Sequence, residues 1–201
     1  MDVKPTSRQQ EHSGATRRAL LQVARRQFTK YGFDGASIEG IAKEARVTRG
    51  ALYHHFREGK KELFRTVFEE LEVEIVTKVA HAAPPDGDVW DMVLTGVRAF
   101  LDACMEPAVQ RVALLDAPSV LGWETWRAID EEYGYGIVRA SIEASIAAGV
   151  IDPQPIDALG HMFLGALNEA ALLIARASDT AKARAEVEQT LLRLLEGLRR
   201  R

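Results

Sequence analysis

Apolar residues at helical spacing recur through this chain of 201 residues, and they constrain its fold more than any other feature. Leu20, Ala24, Phe28 and Tyr31, for example, follow one another at intervals of three and four, which places them on one face of a helix. Runs of β-branched residues with strict apolar–polar alternation, the pattern of a strand, are missing. The sequence therefore predicts an all-α fold of about nine helices.

Three short helices separated by short connections are predicted in the first third of the chain. Thr16 is placed to cap the first helix, and Gly32 to end it in a left-handed conformation. Ser37 is placed to cap the second and Thr48 the third, with a tight break at Arg46 between them. So short a connection indicates a helix-turn-helix unit, which lays its second helix in the major groove of DNA.

A longer fourth helix and five further helices are predicted in the rest of the chain. The fourth runs from about residue 60 to 81 and ends at a linker rich in proline and glycine, residues 83–87. The five helices beyond the linker are predicted at 88–105, 107–115, 119–148, 155–177 and 180–198. The third of these five is expected to break at Gly122 or at 133–136.

These helices divide the chain into three parts. Residues 1–14 are predicted to be a flexible arm, 15–62 a helix-turn-helix domain, and 63–201 a helical domain for ligand binding and dimerisation. The first 65 residues carry 14 Lys and Arg against 7 Asp and Glu, whereas the remainder carries 12 against 22. This asymmetry favours contact of the first part with a polyanion, a chance split of charge being the alternative.

Several features point to a cytoplasmic protein without a membrane partner. No apolar run approaches the roughly 20 residues that span a bilayer, and the polar N-terminus lacks the apolar core of a signal peptide. The single cysteine, Cys104, cannot form an internal disulfide, which agrees with a reducing compartment. We expect Cys104 to be a buried packing residue.

Motifs of enzymes and metal sites are missing from the sequence. A nucleophile elbow, a phosphate-binding glycine loop, paired carboxylates and the H-E-x-x-H motif are all absent. His54 and His55 are adjacent, so on a helix they lie about 100° apart and do not converge on one ion. We therefore expect no catalysis, no metal and no cofactor, and a structural role for His55 beneath the third helix.

Between residues 16 and 63, residue types recur at fixed spacing: Ala24, Phe28, Gly32, Phe33, Ser37, Ile41, Ala42, Val47, Thr48, Gly50, Ala51, Leu52, Tyr53, His55, Phe56, Lys60 and Leu63. With these residues the segment resembles the tetracycline-repressor (TetR) family of transcriptional regulators. The remaining chain is similar in general helical character only. The resemblance implies a homodimeric repressor that a small apolar ligand releases from a palindromic operator in double-stranded DNA. A ligand-independent DNA-binding protein and a helical enzyme are the alternatives.

The start of the third helix is where base contacts are expected. Thr48, Arg49 and Gly50 are predicted to enter the major groove, where Arg49 can pair with guanine through two hydrogen bonds. Gly50 has no side chain, which permits a close approach to DNA. His54 is predicted to point outward one turn further along.

The resemblance further implies contacts with phosphate groups, which position the protein without reading sequence. The resemblance implies phosphate contacts by Tyr53 and Lys60, and also by Thr16 and Ser37 at the starts of their helices. Plain packing is the alternative for Tyr53, and the loop before Lys60 is one residue longer than the family pattern. Arg46 stands where the family usually has glycine, so a left-handed backbone would cost on the order of 1 kcal/mol, which a phosphate contact could recover. The DNA-binding set is completed by Arg17, for which a solvated helix face is the alternative.

A ligand pocket is predicted in the C-terminal part, since apolar walls with a few polar anchors typify such sites. The candidate residues are Phe100, Met105, Trp123, Trp126, Tyr133, His161 and Asn168. Core packing is the alternative for the tryptophans, and satisfied core polar groups the alternative for the last two.

The last two predicted helices are expected to form the dimer interface. The first of them is apolar nearly all round and must be buried, and the second repeats leucine at spacings typical of a helical seam. The predicted interface residues are Leu159, Phe163, Leu167, Leu191, Leu194 and Leu198. Burial of both helices within one subunit is the alternative.

Overall fold

A computed structural model describes residues 8–82 and 87–200 of the chain. These residues form nine α-helices and contain no strand, only one isolated bridge between Ile151 and Arg199, which confirms the all-α prediction. The α-helices are α1 (Arg8–Gly35), α2 (Ile38–Glu44), α3 (Arg49–His55), α4 (Lys60–Ala82), α5 (Val89–Ala103), α6 (Ala117–Leu121), α7 (Trp123–Ala147), α8 (Ile156–Arg176) and α9 (Thr180–Glu196). A π-helical segment, Val109–Asp116, occupies most of the stretch predicted at 107–115.

Two of the three predicted helix caps are present. The Ser37 hydroxyl accepts a hydrogen bond from the Gly40 amide at 3.0 Å, and the Thr48 hydroxyl accepts one from the Ala51 amide at 3.1 Å. The cap predicted at Thr16 is wrong, because α1 begins eight residues earlier at Arg8. Glutamine and glutamate in this stretch favour helix and no proline interrupts it.

The early start of α1 also corrects the predicted N-terminal arm. Residues 8–14, assigned to that arm, are helical, whereas residues 1–7 lie outside the described part of the chain. Near the other end of α1, Gly32 has the predicted positive φ, 71°, but its ψ of 177° is extended, and it kinks the helix, which continues to Gly35. The break predicted within 119–148 falls at Gly122, where φ is 88°, and residues 133–136 stay helical.

The chain divides into two compact units, with the division after Phe68. In the first unit, Phe64 of α4 packs edge-on against Phe28 of α1, with ring centroids 5.1 Å apart, and against Phe33 at 5.2 Å. Leu63 of the same helix is fully buried. The boundary predicted at residue 62 is therefore six residues early, because the first turns of α4 belong to the core of the helix-turn-helix unit.

The second unit is built on a core shared by α5, α7, α8 and α9. Its buried members are Trp90, Val97, Leu101, Val138, Ile142, Ile151, Leu164, Leu167, Ala170, Ile174, Leu191 and Leu195. Cys104, which follows α5, is buried as predicted, and burial raises the pKa of its thiol. The π-helical segment packs beside α6 and α8, and its Ala113 carbonyl accepts a hydrogen bond from the Trp126 indole at 3.0 Å.

Helix α8 is long and apolar enough, by length and composition alone, to cross a membrane. The sequence expectation that no segment approaches this limit needs correction for this helix. In the structure α8 packs against α7, α9 and the π-helical segment, which accounts for the apolar residues on the buried part of its surface. Its buried polar residue, Asn168, donates a hydrogen bond to Asp130.

The turn between α2 and α3 is a Schellman motif with arginine in the left-handed position. The Val47 amide donates to the Ala42 carbonyl at 3.0 Å and the Arg46 amide to the Lys43 carbonyl at 3.1 Å. Arg46 has a φ of 58°, the one positive φ among the described residues other than glycine. The left-handed conformation predicted at Arg46 is thus confirmed.

Replacing Arg46 by glycine tests the strain expected of this conformation. Arg46→Gly removes the Cβ atom that makes the left-handed conformation costly, so we expect the free energy of unfolding to rise by up to about 1 kcal/mol. Urea denaturation measures the change. Arg46→Ala is the matched control, because it keeps the Cβ atom and removes only the guanidinium group. A glycine variant no more stable than the alanine variant would contradict the strain at this turn.

Candidate nucleic-acid interface and internal cavity

The N-terminal end of α3 is open to solvent. Thr48, Arg49 and Gly50 are all exposed, and the Thr48 hydroxyl is used to cap the helix. A Cβ atom built on Gly50 would meet no atom closer than the Thr48 hydroxyl at 3.8 Å. The protein itself therefore leaves room for a side chain at Gly50, and its absence is not needed for folding.

Arg49 is held by two neighbours in the free protein. Its guanidinium lies 2.8 Å from a Glu39 carboxylate oxygen on α2 and 5.5 Å from the centroid of the Tyr53 ring. A hydrogen bond with Tyr53 raises the pKa of Arg49, and the charge of Glu39 adds to this effect. Arg49 and Glu39 are both exposed, so solvent weakens the pair and a stronger acceptor can displace Glu39. Sequence reasoning missed Glu39, whose role depends on how α2 and α3 meet.

Tyr53 is exposed, and its ring lies between the Arg49 guanidinium and Gly59. Gly59 has a φ of 70°, and a Cβ atom there would lie 3.1 Å from the Tyr53 ring. Glycine at position 59 thus permits the positive φ of the loop before α4, and its lack of a side chain leaves room for the Tyr53 ring. The phenol remains accessible to a partner outside the protein.

Lys60 does not face outward as its predicted phosphate contact requires. Its ammonium group donates to the Phe33 carbonyl at 2.9 Å and the Ala36 carbonyl at 3.1 Å, and lies 4.2 Å from the centre of the Phe33 ring. Lys60 therefore ties α4 to α1, and Thr16 likewise lies inside α1 instead of at a helix start.

The other predicted DNA contacts differ in their surroundings. Arg17, Ser37, Arg46 and His54 are exposed, and the Arg17 guanidinium lies 5.3 Å from the centre of the Phe56 ring. His55 is half-buried, and burial lowers its pKa, with His54 and Arg17 adding to the effect. His55 is thus a neutral group packed within the unit, as expected from the sequence.

A clamp between α1 and α2 was not predicted. One oxygen of Glu44 accepts a hydrogen bond from Arg26 at 2.9 Å, and the other accepts one from Gln27 at 2.5 Å. The hydrogen bond from Gln27 contributes most to lowering the pKa of Glu44, and Arg26 follows. Arg26 is therefore paired with Glu44 within the protein, through a contact that is exposed to solvent like that of Arg49 with Glu39.

The second unit encloses a cavity of about 420 Å³, bounded by α4, α5, α7, α8 and α9. Most lining residues are apolar, among them Ile75, Val79, Val93, Phe100 and Phe163. Of the seven residues predicted to bind a ligand, Phe100 alone is among them.

The six others lie elsewhere, each for a physical reason. Trp123 is 59% exposed, and Trp126 is buried with its indole bonded to a carbonyl. Tyr133 and Met105 are partly buried and do not line the cavity. His161 is exposed and stacks on Tyr135 with ring centroids 4.5 Å apart, whereas Asn168 is a satisfied core amide bonded to Asp130 at 2.6 Å.

Two carboxyl groups among the lining residues were not predicted. Asp130 accepts hydrogen bonds from Asn168 at 2.6 Å and Arg127 at 3.0 Å; burial raises its pKa, and these two partners oppose that rise. Burial raises the pKa of Glu72 to about 8, and the charge of Asp130 adds to this. Glu72 lies four residues after Phe68 and three before Ile75, so its place on the apolar face of α4 was a readable signal.

Most of the residues predicted to form the dimer interface lie in or against the core of their own subunit. Leu167 and Leu191 are buried in its core, and Leu159, Phe163 and Leu198 pack against that core and line the cavity. Leu194 is the exception, with 60% of its surface exposed. The large apolar side chains that α8 exposes are Met162 at 74% and Leu173 at 53%. Because α8 is apolar on nearly every side, its sequence does not tell which face is free.

Comparison with known proteins agrees with this arrangement of units. Residues 20–67 match the family of bacterial regulatory proteins called tetR, and residues 90–198 match the tetracyclin repressor-like C-terminal domain. The first match covers the helix-turn-helix helices and the first turns of α4. The second covers more than half of the chain and includes α5 to α9.

Three individual proteins illustrate the similarity. A crystal structure of a TetR-family transcriptional regulator from Pectobacterium atrosepticum has 31% identity and a TM-score of 0.85, covering 95% of this chain and 97% of that one. The Transposon Tn10 TetC protein of Escherichia coli is 26% identical over 78% of this chain and 79% of the relative. The transcriptional repressor AcnR of Corynebacterium glutamicum is 34% identical over 42% of this chain and 38% of its own. The chain therefore belongs to the TetR family of transcriptional regulators, which bind DNA operators.

Proposed function

We propose that this protein is a cytoplasmic homodimeric repressor that leaves a palindromic operator when a small, mainly apolar molecule binds its cavity. The observation that carries the proposal is the continuity of α4. Its first turns contribute Leu63 and Phe64 to the helix-turn-helix core, and its later turns contribute Ile75, Val76 and Val79 to the cavity wall. A ligand that alters the packing of those later turns acts on a helix that the DNA-binding unit also uses.

The proposed DNA surface is centred on the start of α3. Arg49 reads a guanine after exchanging Glu39 for the base, Thr48 lies beside it, and Gly50 lets the helix approach closely. Phosphate groups are contacted by a surrounding set of exposed side chains, which fixes the position of α3. That set is Arg17, Ser37, Arg46, Tyr53 and His54. Thr16 and Lys60 are left out because their surroundings within the protein account for them.

The proposed dimer uses the exposed faces of α8 and α9. Met162 and Leu173 are eleven residues apart, which is three helical turns, so they share one face of α8. A Cβ atom at Gly165, between them, would have no neighbour within 4 Å, which leaves space for a second helix. Together with Leu194 of α9, this face can pack on its two-fold mate as a four-helix interface. The dimer then presents two α3 helices to the two half-sites of a palindrome.

Release by a ligand requires that the ligand bind the released form more tightly than the DNA-bound form. A protein that works without a ligand, the alternative proposal, is expected to fill its C-terminal core. The cavity of about 420 Å³, within the range of small-molecule sites, favours the ligand-responsive proposal.

Gly50→Ala separates the DNA contact from the stability of α3. Because the free protein has room for a methyl group and Gly50 lies in the first turn of α3, we expect the variant to be at least as stable as the unmodified protein, with a gain of up to about 0.5 kcal/mol. Its affinity for a duplex selected from a random pool should fall at least tenfold, because the methyl group obstructs the approach to DNA. Urea denaturation and fluorescence anisotropy measure the two effects.

Gly136→Ala provides the matched control for that variant. Gly136 lies within α7 and also has open space around its Cβ position, so a gain in stability is expected with unchanged DNA affinity. Equal DNA affinity of Gly50→Ala and the unmodified protein would refute the close approach at α3.

Charged substitutions at the exposed apolar face test the dimer. Met162→Glu and Leu194→Glu each place a carboxylate where the partner helices are proposed to meet, so we expect monomers at micromolar concentration. Size-exclusion chromatography with light scattering measures the mass. Gln189→Glu is the control, since Gln189 is exposed on a different side of α9 and should leave the dimer intact. Dimers in both test variants would exclude this interface.

A further inference from the structure

The cavity wall carries two carboxyl groups in largely apolar surroundings. Glu72 projects from α4 and Asp130 from α7, and both are among the lining residues. Burying a carboxylate is costly unless it is paired with a cation or satisfied by hydrogen bonds. Each group therefore either has a partner or takes up a proton, and the two differ in whether the protein supplies a partner.

Asp130 has its partners within the protein. It accepts hydrogen bonds from Arg127 and from Asn168, so its negative charge is balanced inside the second unit. These contacts explain why an aspartate is tolerated at a position that is 8% exposed.

Glu72 has no such partner. It is 9% exposed, and in the part of the chain that the structure describes no hydrogen bond or ion pair engages its carboxyl group. The titratable groups that act on it are Asp130 on α7 and the Cys104 thiol that follows α5, neither of which is a cation. Glu72 is thus a buried acid that faces the cavity and lacks a partner within the described protein. A ligand in the cavity can supply that partner as a positive charge.

We propose that the cavity takes an apolar organic cation whose charged nitrogen pairs with Glu72, close to Asp130. This inference rests on the proposed function, because the cavity is the one assigned there to the effector. The apolar walls accept the body of such a molecule, and the carboxyl groups accept its charge. An organic anion would face two carboxyl groups, and a neutral molecule would leave Glu72 as the uncharged acid without the attraction that a cation gains from the carboxylate.

Proton release follows from this pairing. With a pKa of about 8, the empty site holds Glu72 mostly as the neutral acid at pH 7, whereas a bound cation stabilises the carboxylate. Binding at pH 7 should therefore release close to one proton. As the pH increases toward 8, the affinity for a cation should increase by up to about tenfold per pH unit, and above pH 8 it should level off. The affinity for a neutral analogue should not change with pH.

Three molecules with the same chain and different head groups test the inference. Decylamine, a cation at these pH values, decan-1-ol and decanoate are titrated below their aggregation concentrations into the full-length protein by calorimetry. Two buffers with different ionisation enthalpies give the number of protons released. We expect decylamine to bind at least tenfold more tightly than decan-1-ol, decanoate to bind most weakly, and only decylamine to release a proton at pH 7.

Glu72→Gln supplies the decisive variant. It should abolish the preference for decylamine and the proton release while leaving decan-1-ol binding unchanged, and Glu74→Gln, outside the cavity lining on the same helix, should alter neither. Equal binding of amine and alcohol, or a preference that survives Glu72→Gln, would overturn the cation assignment and leave the proposed effector cavity standing. Failure of all three molecules to bind would overturn that cavity and the assignment together.

Discussion

The continuity of α4 is the constraint on which the rest of the structure depends. One uninterrupted helix, Lys60–Ala82, must satisfy two different cores along its length. Its first turns bury Leu63 and Phe64 in the helix-turn-helix unit, and its later turns bury Leu71 and Ile75 in the second unit. Each core therefore limits how α4 can shift or rotate, and any ligand that repacks the second core acts on an element of the first. Under the proposed function, this shared helix is the element through which ligand binding in the cavity would change the affinity for DNA.

In the helix-turn-helix unit, the position of α3 is fixed by several contacts, whereas the N-terminal end of α3 is exposed to solvent. The Schellman turn at Arg46 and the Thr48 cap fix where α3 begins, and Lys60 joins the start of α4 to the end of α1. Arg49, by contrast, is held by exposed contacts with Glu39 and Tyr53. Rigid positioning with a weakly held arginine suits a surface that must exchange an internal partner for a base.

Much of the first unit could be predicted because its signals are local. A hydroxyl at Ser37 or Thr48 caps the helix that follows it directly, and the positive φ of Gly32 and Arg46 follows from the spacing of the helices around them. Thr16 was misassigned because a capping residue type inside a strong helix-forming stretch gives the same local signal as a true cap. The loop before Lys60 differs from the family pattern by one residue, and this difference could be read from the sequence. The contacts that Lys60 makes with the end of α1 depend on the three-dimensional structure and could not be predicted.

The second unit was harder to predict because its features depend on which helix faces meet. Helix α8 is apolar nearly all round, so the sequence did not separate Phe163, which lines the cavity, from Met162, which is exposed one residue earlier. The aromatic residues Trp123 and Trp126 suggested a pocket, and their environment near the π-helical segment depended on tertiary packing. Glu72 could have been identified from the sequence, because an acidic residue on the apolar face of a helix indicates either a buried partner or a functional role.

Selection of bound sequences from a random DNA pool at about 0.15 M salt tests the central claim most directly, with the unmodified protein and Arg49→Ala in parallel. If the protein is a sequence-reading dimer, the unmodified protein enriches an inverted repeat whose half-sites lie about one helical turn apart. Arg49→Ala should then lose or broaden a guanine position in each half-site. No enriched repeat, or the same repeat with and without Arg49, would contradict recognition of a palindrome by α3.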